Sequence, residues 1–405
     1  MKNKIIYAVS ILVAVLLLLA GYLCVKDGYD IQYGDGQSEY LRAKITEIKK
    51  VDEKAPYATS TNKVTTYTFK CDVKSGSLEG KSLTATQIID SSALYNSHPV
   101  SEGDTVIVYQ SRVGDDSSWV FAEFVRSDAT LILALLFCAA IILFGRTKGL
   151  KTLVTLILTI CSVFFVLIPA IISGRNIYIW TIIVCLYITA MTLVIVNGIS
   201  FMSLVAGIGC MGGVLIAAAI TLIMDVFLKL TGYTDECTIY IKGINNGIID
   251  LRALVFAGIL IGSIGAVMDV AVNIAASLHE VATKIKSPSF KELFRSGITI
   301  SRDIIGTMSN TLILAYIGSS LCSVLLIIYN NSFSMLNLFN KENIIVELLK
   351  ILVGSFGILS ALPLTSAISA FFYSRFEKFS YTEVQISEDE DEYADMLDDF
   401  NNIEK

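Results

Sequence analysis

The stretch GILIGSIGAVMDVAVNIAASLHE, residues 258–280, sets a regular series of small and polar residues in an apolar background. Steps of three and four residues separate them, which places them on one face of an α-helix. They are Gly258, Gly262, Gly265, Asp269, Asn273, Ala276 and Glu280. The stretch SRDIIGTMSNTLILAYIGSS, residues 301–320, repeats the pattern with Asp303, Gly306, Asn310, Leu314 and Gly318. Because both segments are otherwise apolar enough to meet lipid, we expect their polar faces to meet each other or a shared cavity.

The composition of the whole chain is that of a membrane protein. Hydrophobic residues make up 54% of the 405, charged residues 17%, and the mean hydropathy is +0.65. These values are too apolar for a soluble domain and are typical of a multispanning membrane protein. No basic stripe with interleaved aromatic residues and no zinc-ligand spacing occurs, so the sequence does not indicate a nucleic-acid partner, a metal or a cofactor.

The apolar segments predict about eight membrane spans. Residues 1–25 form an N-terminal anchor, since the apolar run at 5–24 follows two lysines and lacks the small-x-small site of a cleaved signal peptide. Residues 128–375 form a membrane domain of seven further spans. These are residues 129–144, 150–173, 177–197, 200–224, 251–277, 304–329 and 344–373.

Lysine and arginine are distributed as the positive-inside rule requires when both chain termini lie in the cytoplasm. The predicted inner loops and ends carry Arg146, Lys148, Lys151, Lys284, Lys286, Lys291, Arg295, Arg302, Arg375 and Lys378. The outer loops keep only Arg175, Lys229, Lys242, Arg252 and Lys341.

Residues 26–127 and 376–405 differ from the spans in composition. The first segment alternates polar and apolar residues between turn signals, as in TYTFKCDVKSG at 66–76, and predicts a small extracytoplasmic β domain, for which a partly open barrel is one arrangement. Residues 40–51 are either its first strand or a short helix. The second segment, with ten acidic residues between Glu383 and Glu404, predicts a disordered cytoplasmic tail.

The two polar faces supply oxygen ligands to one predicted substrate- or ion-binding site. Asp269 lies about 25 Å along its helix from Arg252, and Asn310 about 10 Å beyond Asp303, so the two faces meet in the cytoplasmic half of the membrane. Carboxylate, amide and hydroxyl oxygens suit Na⁺ or a proton-carrying Asp. The predicted site consists of Asp269, Asn273, Thr307, Asn310 and Thr311, with Arg302, Asp303 and Glu280 in gating or pairing roles.

These residues have three other interpretations besides an ion site. Asp269 can simply pair with Arg302 or Lys284, while the amides hydrogen-bond between helices. The sequence after His279-Glu280 lacks the second histidine of a zinc-protease motif. An intramembrane aspartyl protease is expected to carry Gly-x-Gly-Asp and Tyr-Asp motifs, and neither Asp269 nor Asp303 lies in such a motif. We therefore expect that the protein is not an enzyme.

The quoted stretches resemble the YibE/F family of bacterial multispanning membrane proteins. The resemblance rests on residues 258–280, on SGITISRDIIGTMSNTLILAYIGSSL at 296–321, and more weakly on TGYTDE at 231–236. It extends to the layout of anchor, outer domain and spans. It implies a multi-pass protein of the bacterial cell membrane and brings no established substrate. The chain departs from the family pattern with Asn273 in place of Ser and Ser301 in place of Gly.

Two functions of different class remain open. The first is a transporter or permease that uses a coupling ion, Na⁺ or H⁺, and the second is a non-transporting envelope sensor or scaffold. The lipid bilayer is the predicted partner in both, and the sequence is compatible with a homo-oligomer.

Overall fold

The computed structural model of the chain describes residues 2–26, 39–54, 63–90, 98–113, 116–234, 236–244, 249–285, 288–322, 325, 329 and 335–375. Two compact units make up the chain. The first contains Met1–Tyr29 with Gly145–Lys405, and the second contains Asp30–Phe144. The predicted tail, residues 376–405, lies outside the described residues.

The second unit contains a closed five-stranded barrel. Its strands are β1 (Tyr40–Lys54), β2 (Val64–Ser75), β3 (Ser82–Asp90), β4 (Thr105–Val113) and β5 (Asp116–Phe124). They follow one another in the order β1-β2-β3-β5-β4, and only the β3–β5 contact is parallel. Residues 40–51 are therefore strand and not helix. A five-stranded barrel of this order has the topology of the OB fold.

Alternate residues of the barrel strands point inward, as the sequence pattern predicts. Phe69, Cys71 and Val73 of β2 are buried while their neighbours are partly buried or exposed. They pack against Leu41 and Val108 from the flanking part of the sheet. Burial of Cys71 inside the barrel raises the pKa of its thiol to about 11.

The remaining described residues are almost all helical. The helices are α1 (Lys2–Lys26), α2 (Ser127–Ser162), α3 (Ile168–Ile172), α4 (Ile177–Asn197), α5 (Phe201–Leu228), α6 (Glu236–Ile244), α7 (Leu251–Lys284), α8 (Phe290–Ser319), α9 (Met335–Leu338) and α10 (Glu342–Arg375). One turn of π-helix, Val163–Leu167, joins α2 to α3. Residues 236–244, which lie between the predicted spans at 200–224 and 251–277, form α6.

Six helical stretches within the described residues are long and apolar enough to cross a membrane. They are Tyr7–Lys26, Ser127–Ile172, Ile177–Asn197, Phe201–Leu228, Leu251–Lys284 and Glu342–Arg375. The second stretch contains two of the predicted spans, and Arg146 with φ 47° and ψ −125° interrupts its helical geometry. The predicted span at 304–329 is not among the six: α8 ends at Ser319 and carries many polar residues, and residues 323, 324 and 326–328 lie outside the described part of the chain.

Helices α5, α7 and α10 form the centre of the helical unit through close contacts at small residues. A Cβ placed on Gly213 of α5 would lie 2.8 Å from both the Ala361 Cβ and the Gly357 carbonyl oxygen of α10. It would also lie 3.0 Å from Val267 of α7. Glycine at 213 and 357 therefore lets three helices approach more closely than larger residues allow.

Helix α8 runs antiparallel to α7. Near the start of α8, a Cβ on Gly297 would lie 2.9 Å from Leu278 near the end of α7. Near the end of α8, the Tyr316 hydroxyl lies against Gly262 in the first third of α7. The stretch between the predicted spans at 251–277 and 304–329 is mostly helical, because α7 continues to Lys284 and a capping box of Ser289 and Glu292 begins α8.

Candidate functional site

The polar face of α7 is exposed on the surface of the chain. Asp269, Asn273 and Glu280 are exposed, as are the glycines that precede them on this face. The opposite face is buried, and Val267 packs there against Gly213 and Gly357. The predicted face therefore exists as one side of a helix, and it points away from the helical core.

The polar face of α8 also points outward. Asp303, Thr307, Asn310 and Thr311 are exposed. The other side of the helix packs on α10, where the Ser301 hydroxyl lies 3.4 Å from the Ser366 hydroxyl.

Local hydrogen bonds occupy some of the predicted site residues. The Thr307 hydroxyl donates to the Ile304 carbonyl at 3.0 Å, and the Thr311 hydroxyl donates to the Thr307 carbonyl at 2.8 Å. Lys284 donates to the Glu280 carboxylate at 2.8 Å, which accounts for Glu280 as a pairing residue. These three side chains are satisfied within their own helices.

The other predicted residues have no such partners. Among the described residues, no hydrogen bond or ion pair involves the side chains of Asp269, Asn273, Asn310, Arg302 or Asp303. The alternative pairing of Asp269 with Lys284 is not observed, since Lys284 contacts Glu280. The structure thus places two outward polar faces, each with unpaired residues, on adjacent antiparallel helices, and within the described residues no hydrogen bond joins the two faces.

A cluster of buried hydroxyl groups lies on the second half of α10 and the helices that pack on it, since Ser366 contacts Ser301 of α8 and Thr365 lies against Gly209 of α5. Ser301, Thr365, Ser366 and Ser369 are all at most 3% exposed. The Ser366 hydroxyl donates to the Leu362 carbonyl at 2.8 Å, and the Ser301 hydroxyl donates to the Gly297 carbonyl at 2.7 Å. Within the part of the chain that the structure describes, the Thr365 and Ser369 hydroxyl oxygens have no hydrogen-bond partner.

Composition and helical periodicity did not single out these hydroxyl groups. The signal was present in the run LPLTSAIS, residues 362–369, where three hydroxyl residues follow a proline inside an apolar segment. Proline leaves the carbonyl four residues earlier without its helical hydrogen bond. Hydroxyl groups in a span next to such a break are therefore candidates for a polar role.

The TGYTDE motif is anchored by the last long helix. The Glu342 carboxylate accepts hydrogen bonds from the backbone N–H groups of Thr231 at 2.7 Å and Gly232 at 2.6 Å. It also accepts one from the Thr231 hydroxyl at 2.6 Å. The motif thus has a structural role in holding the segment before α6 against the start of α10.

Two apolar grooves of about 530 and 540 Å³ lie on either side of α4. Leu186, Ala190, Val194 and Ile199 line both grooves, and none of the predicted site residues lines either one. Their apolar character is that of surfaces in contact with acyl chains. The candidate site therefore remains the polar surface of α7 and α8.

Comparison with known proteins agrees with the resemblance seen in the sequence. Residues 133–375 match the model of the family described as YibE/F-like protein. No curated protein and no solved structure matches the chain. The matched region is more than half of the chain and includes both polar faces, the hydroxyl cluster and the Thr231–Gly232 anchor. The chain therefore belongs to the YibE/F-like protein family.

Proposed function

We propose that the protein is a membrane transporter or permease whose site is built on the polar faces of α7 and α8. The observation that carries this proposal is the unpaired, exposed Asp269 within a helix that is apolar enough to span. A carboxylate at the bilayer centre costs about 2.5–3.5 kcal/mol even on the lenient insertion scale. Such a residue is retained where it meets water, a proton or a cation, which is the environment of a permeation path.

The proposed topology has eight spans with both termini in the cytoplasm. The stretch Ser127–Ile172 has 46 residues, and a helix of that length measures about 69 Å, roughly twice the hydrocarbon core. The break at Arg146 supports two crossings there. Helix α8 supplies the eighth, because it lies antiparallel along α7 despite its polar composition. In this topology the barrel is extracytoplasmic.

Asp269 is the proposed titrating or cation-binding carboxylate. The amides of Asn273 and Asn310 supply further oxygen ligands. Thr307 and Thr311 donate their hydrogens to backbone carbonyls, which leaves the hydroxyl lone pairs available as acceptors for a cation. Arg302 and Asp303 are the proposed gating residues, at the cytoplasmic end of α8. Oxygen ligands of this kind suit Na⁺ or H⁺ as the coupling ion.

The test is ion flux in proteoliposomes that contain the full chain. Na⁺ uptake and proton movement are measured for the wild type, for Asp269→Asn and for the control Asp250→Asn. Asp250 accepts hydrogen bonds from the N–H groups of Arg252 and Ala253 at the start of α7, and Asn keeps this capping capacity. We expect flux in the wild type and control and its loss in Asp269→Asn. Absence of flux in a folded wild type under imposed gradients of both ions contradicts the proposal.

The second candidate function is a non-transporting sensor or scaffold. The observation that favours it is the barrel of OB topology, because surfaces of such barrels bind oligomeric ligands. Deleting residues 383–405, or the barrel, separates the two functions: a permease keeps some flux without the tail. A sensor shows no flux in any form, and its ligand response is lost with the barrel.

A further inference from the structure

The outward face of α8 contains a continuous seam at alternating steps of four and three residues. The seam consists of Thr299, Asp303, Gly306, Asn310, Ile313 and Ile317. All of these residues are exposed except Ile313, which is partly buried. A repeat of this spacing is the pattern by which two helices pack side by side along a common axis.

This seam is unsuited to contact with lipid. Helix α8 lies along α7, one of the helices able to span a membrane, so its outward face is at membrane depth. Asp303 and Asn310 on the seam, and Arg302 beside it, have no hydrogen-bond or ion-pair partner among the described residues. Because ionised and amide groups at this depth are costly unless paired or hydrated, contact of the seam with another protein surface is favoured over contact with lipid.

We propose that a second copy of this chain covers the seam, so that the protein is a homodimer through α8. In a dimer with a two-fold axis along the membrane normal, residues at equal depth meet across the axis. Arg302 of each copy, beside the seam, then faces Asp303 on the seam of the other copy, so the two copies bring opposite charges together. The Asn310 side chains meet each other and exchange hydrogen bonds, as polar residues do between spans.

Gly306 sits between these two contacts and permits the close approach. Apart from the adjoining backbone of α8 itself, no atom of the described chain lies within 4 Å of a Cβ placed on Gly306, so packing within one copy does not explain a glycine there. In the proposed dimer the missing side chain lets the α8 backbones come together between the charge pair and the amide pair. Arg302, Asp303 and Asn310 belong to both the proposed ion site and this interface, but the number of subunits is measured independently of whether the protein transports an ion.

The first experiment replaces Gly306 with leucine and counts subunits in lipid nanodiscs or membranes by single-molecule photobleaching. The matched control is Gly258→Leu on the outward face of α7, where a Cβ also has nothing within 4 Å. At neither position does the added Cβ clash within one copy. We expect Gly306→Leu to weaken dimerisation at least about tenfold, while Gly258→Leu leaves it unchanged. A monomeric wild type, or equal dimerisation of all three proteins, overturns the proposal.

The second experiment tests the charge pair with Arg302→Glu and Asp303→Lys. Each variant alone places like charges across the axis, and we expect its dimer to dissociate. The two variants are then co-expressed with different tags. In the mixed dimer the introduced glutamate of one copy faces the introduced lysine of the other, and the native Arg302 and Asp303 face each other at the second contact.

Both contacts of the mixed dimer therefore join opposite charges. We expect the two variants to copurify better than either does with itself. If the two variants copurify no better with each other than each does with itself, the proposal is overturned. The partner of this face is then another protein, lipid or the acidic tail.

Discussion

Asp269 and Glu280 lie on the same face of α7, but their surroundings differ. Glu280 is nearer the end of the helix and is paired with Lys284 at 2.8 Å. Such exposed pairs contribute less than about 1 kcal/mol and need no functional explanation. Asp269 has no partner among the described residues, and an unpaired carboxylate in a span is costly. The functional proposal therefore rests on Asp269.

A residue-scale prediction concerns Gly232 in the TGYTDE motif. Its φ of +84° is in the region that favours glycine, and a Cβ there would lie 2.5 Å from the Leu251 Cβ. We expect Gly232→Ala to lower the free energy of unfolding by about 1–3 kcal/mol, through strain and the weakened Glu342 contact. Thermal unfolding in detergent measures the effect. Gly243→Ala, where a Cβ meets nothing within 4 Å, is the control, and an equal change in both contradicts the argument.

At the scale of elements, the central helices differ in how much their faces are covered. Helix α7 is buried against α5 and α10 on one side and exposed on its polar side. Helix α8 is covered by α10 and part of α7, and its polar seam is open. Glycines on the covered faces serve close packing, whereas Gly258, Gly265, Gly306 and Gly318 face open space. Glycine thus allows close packing on the covered faces of these helices and lies on open surface on their outward faces.

An element-scale prediction separates these roles with Gly213→Ala and Gly258→Ala. A Cβ at 213 would lie 2.8 Å from Ala361 and from the Gly357 carbonyl, so α5 and α10 must move apart. We expect this variant to lose about 1–3 kcal/mol of stability through overpacking. Gly258→Ala adds a better helix former in open space and is expected to gain up to about 1 kcal/mol. Unfolding midpoints of both proteins in one detergent test the prediction, and a stable Gly213→Ala contradicts the close packing.

At the scale of the whole molecule, the eight-span topology places particular residues on defined sides of the membrane. We expect cysteines introduced at Lys148 and Lys284 in a cysteine-free background to react with an impermeant maleimide only from the cytoplasmic side. A cysteine introduced at Lys341 should react only from the outside. If the positions at 148 and 341 react from the same side, then an odd number of the crossings between them is wrong, and the topology must be revised.

The sequence by itself determined that the chain is a multi-pass membrane protein with a small β domain, and which residues form the polar faces of its helices. Hydropathy, strand alternation and helical periodicity depend on local chemistry, so they located the long helices, the β domain and the polar faces of α7 and α8. The Glu347–Lys350 pair, found at 2.6 Å, was predictable because residues three apart on a helix are neighbours.

The tertiary structure decided what each face meets. The contact of Ser301 with Ser366, 65 residues away, and the closure of the barrel between β3 and β5 depend on long-range packing, which no local period encodes. The outward direction of Asp269 and Asp303 was decided in the same way. A helical repeat defines a face, but only the neighbouring helices determine whether that face is buried or open.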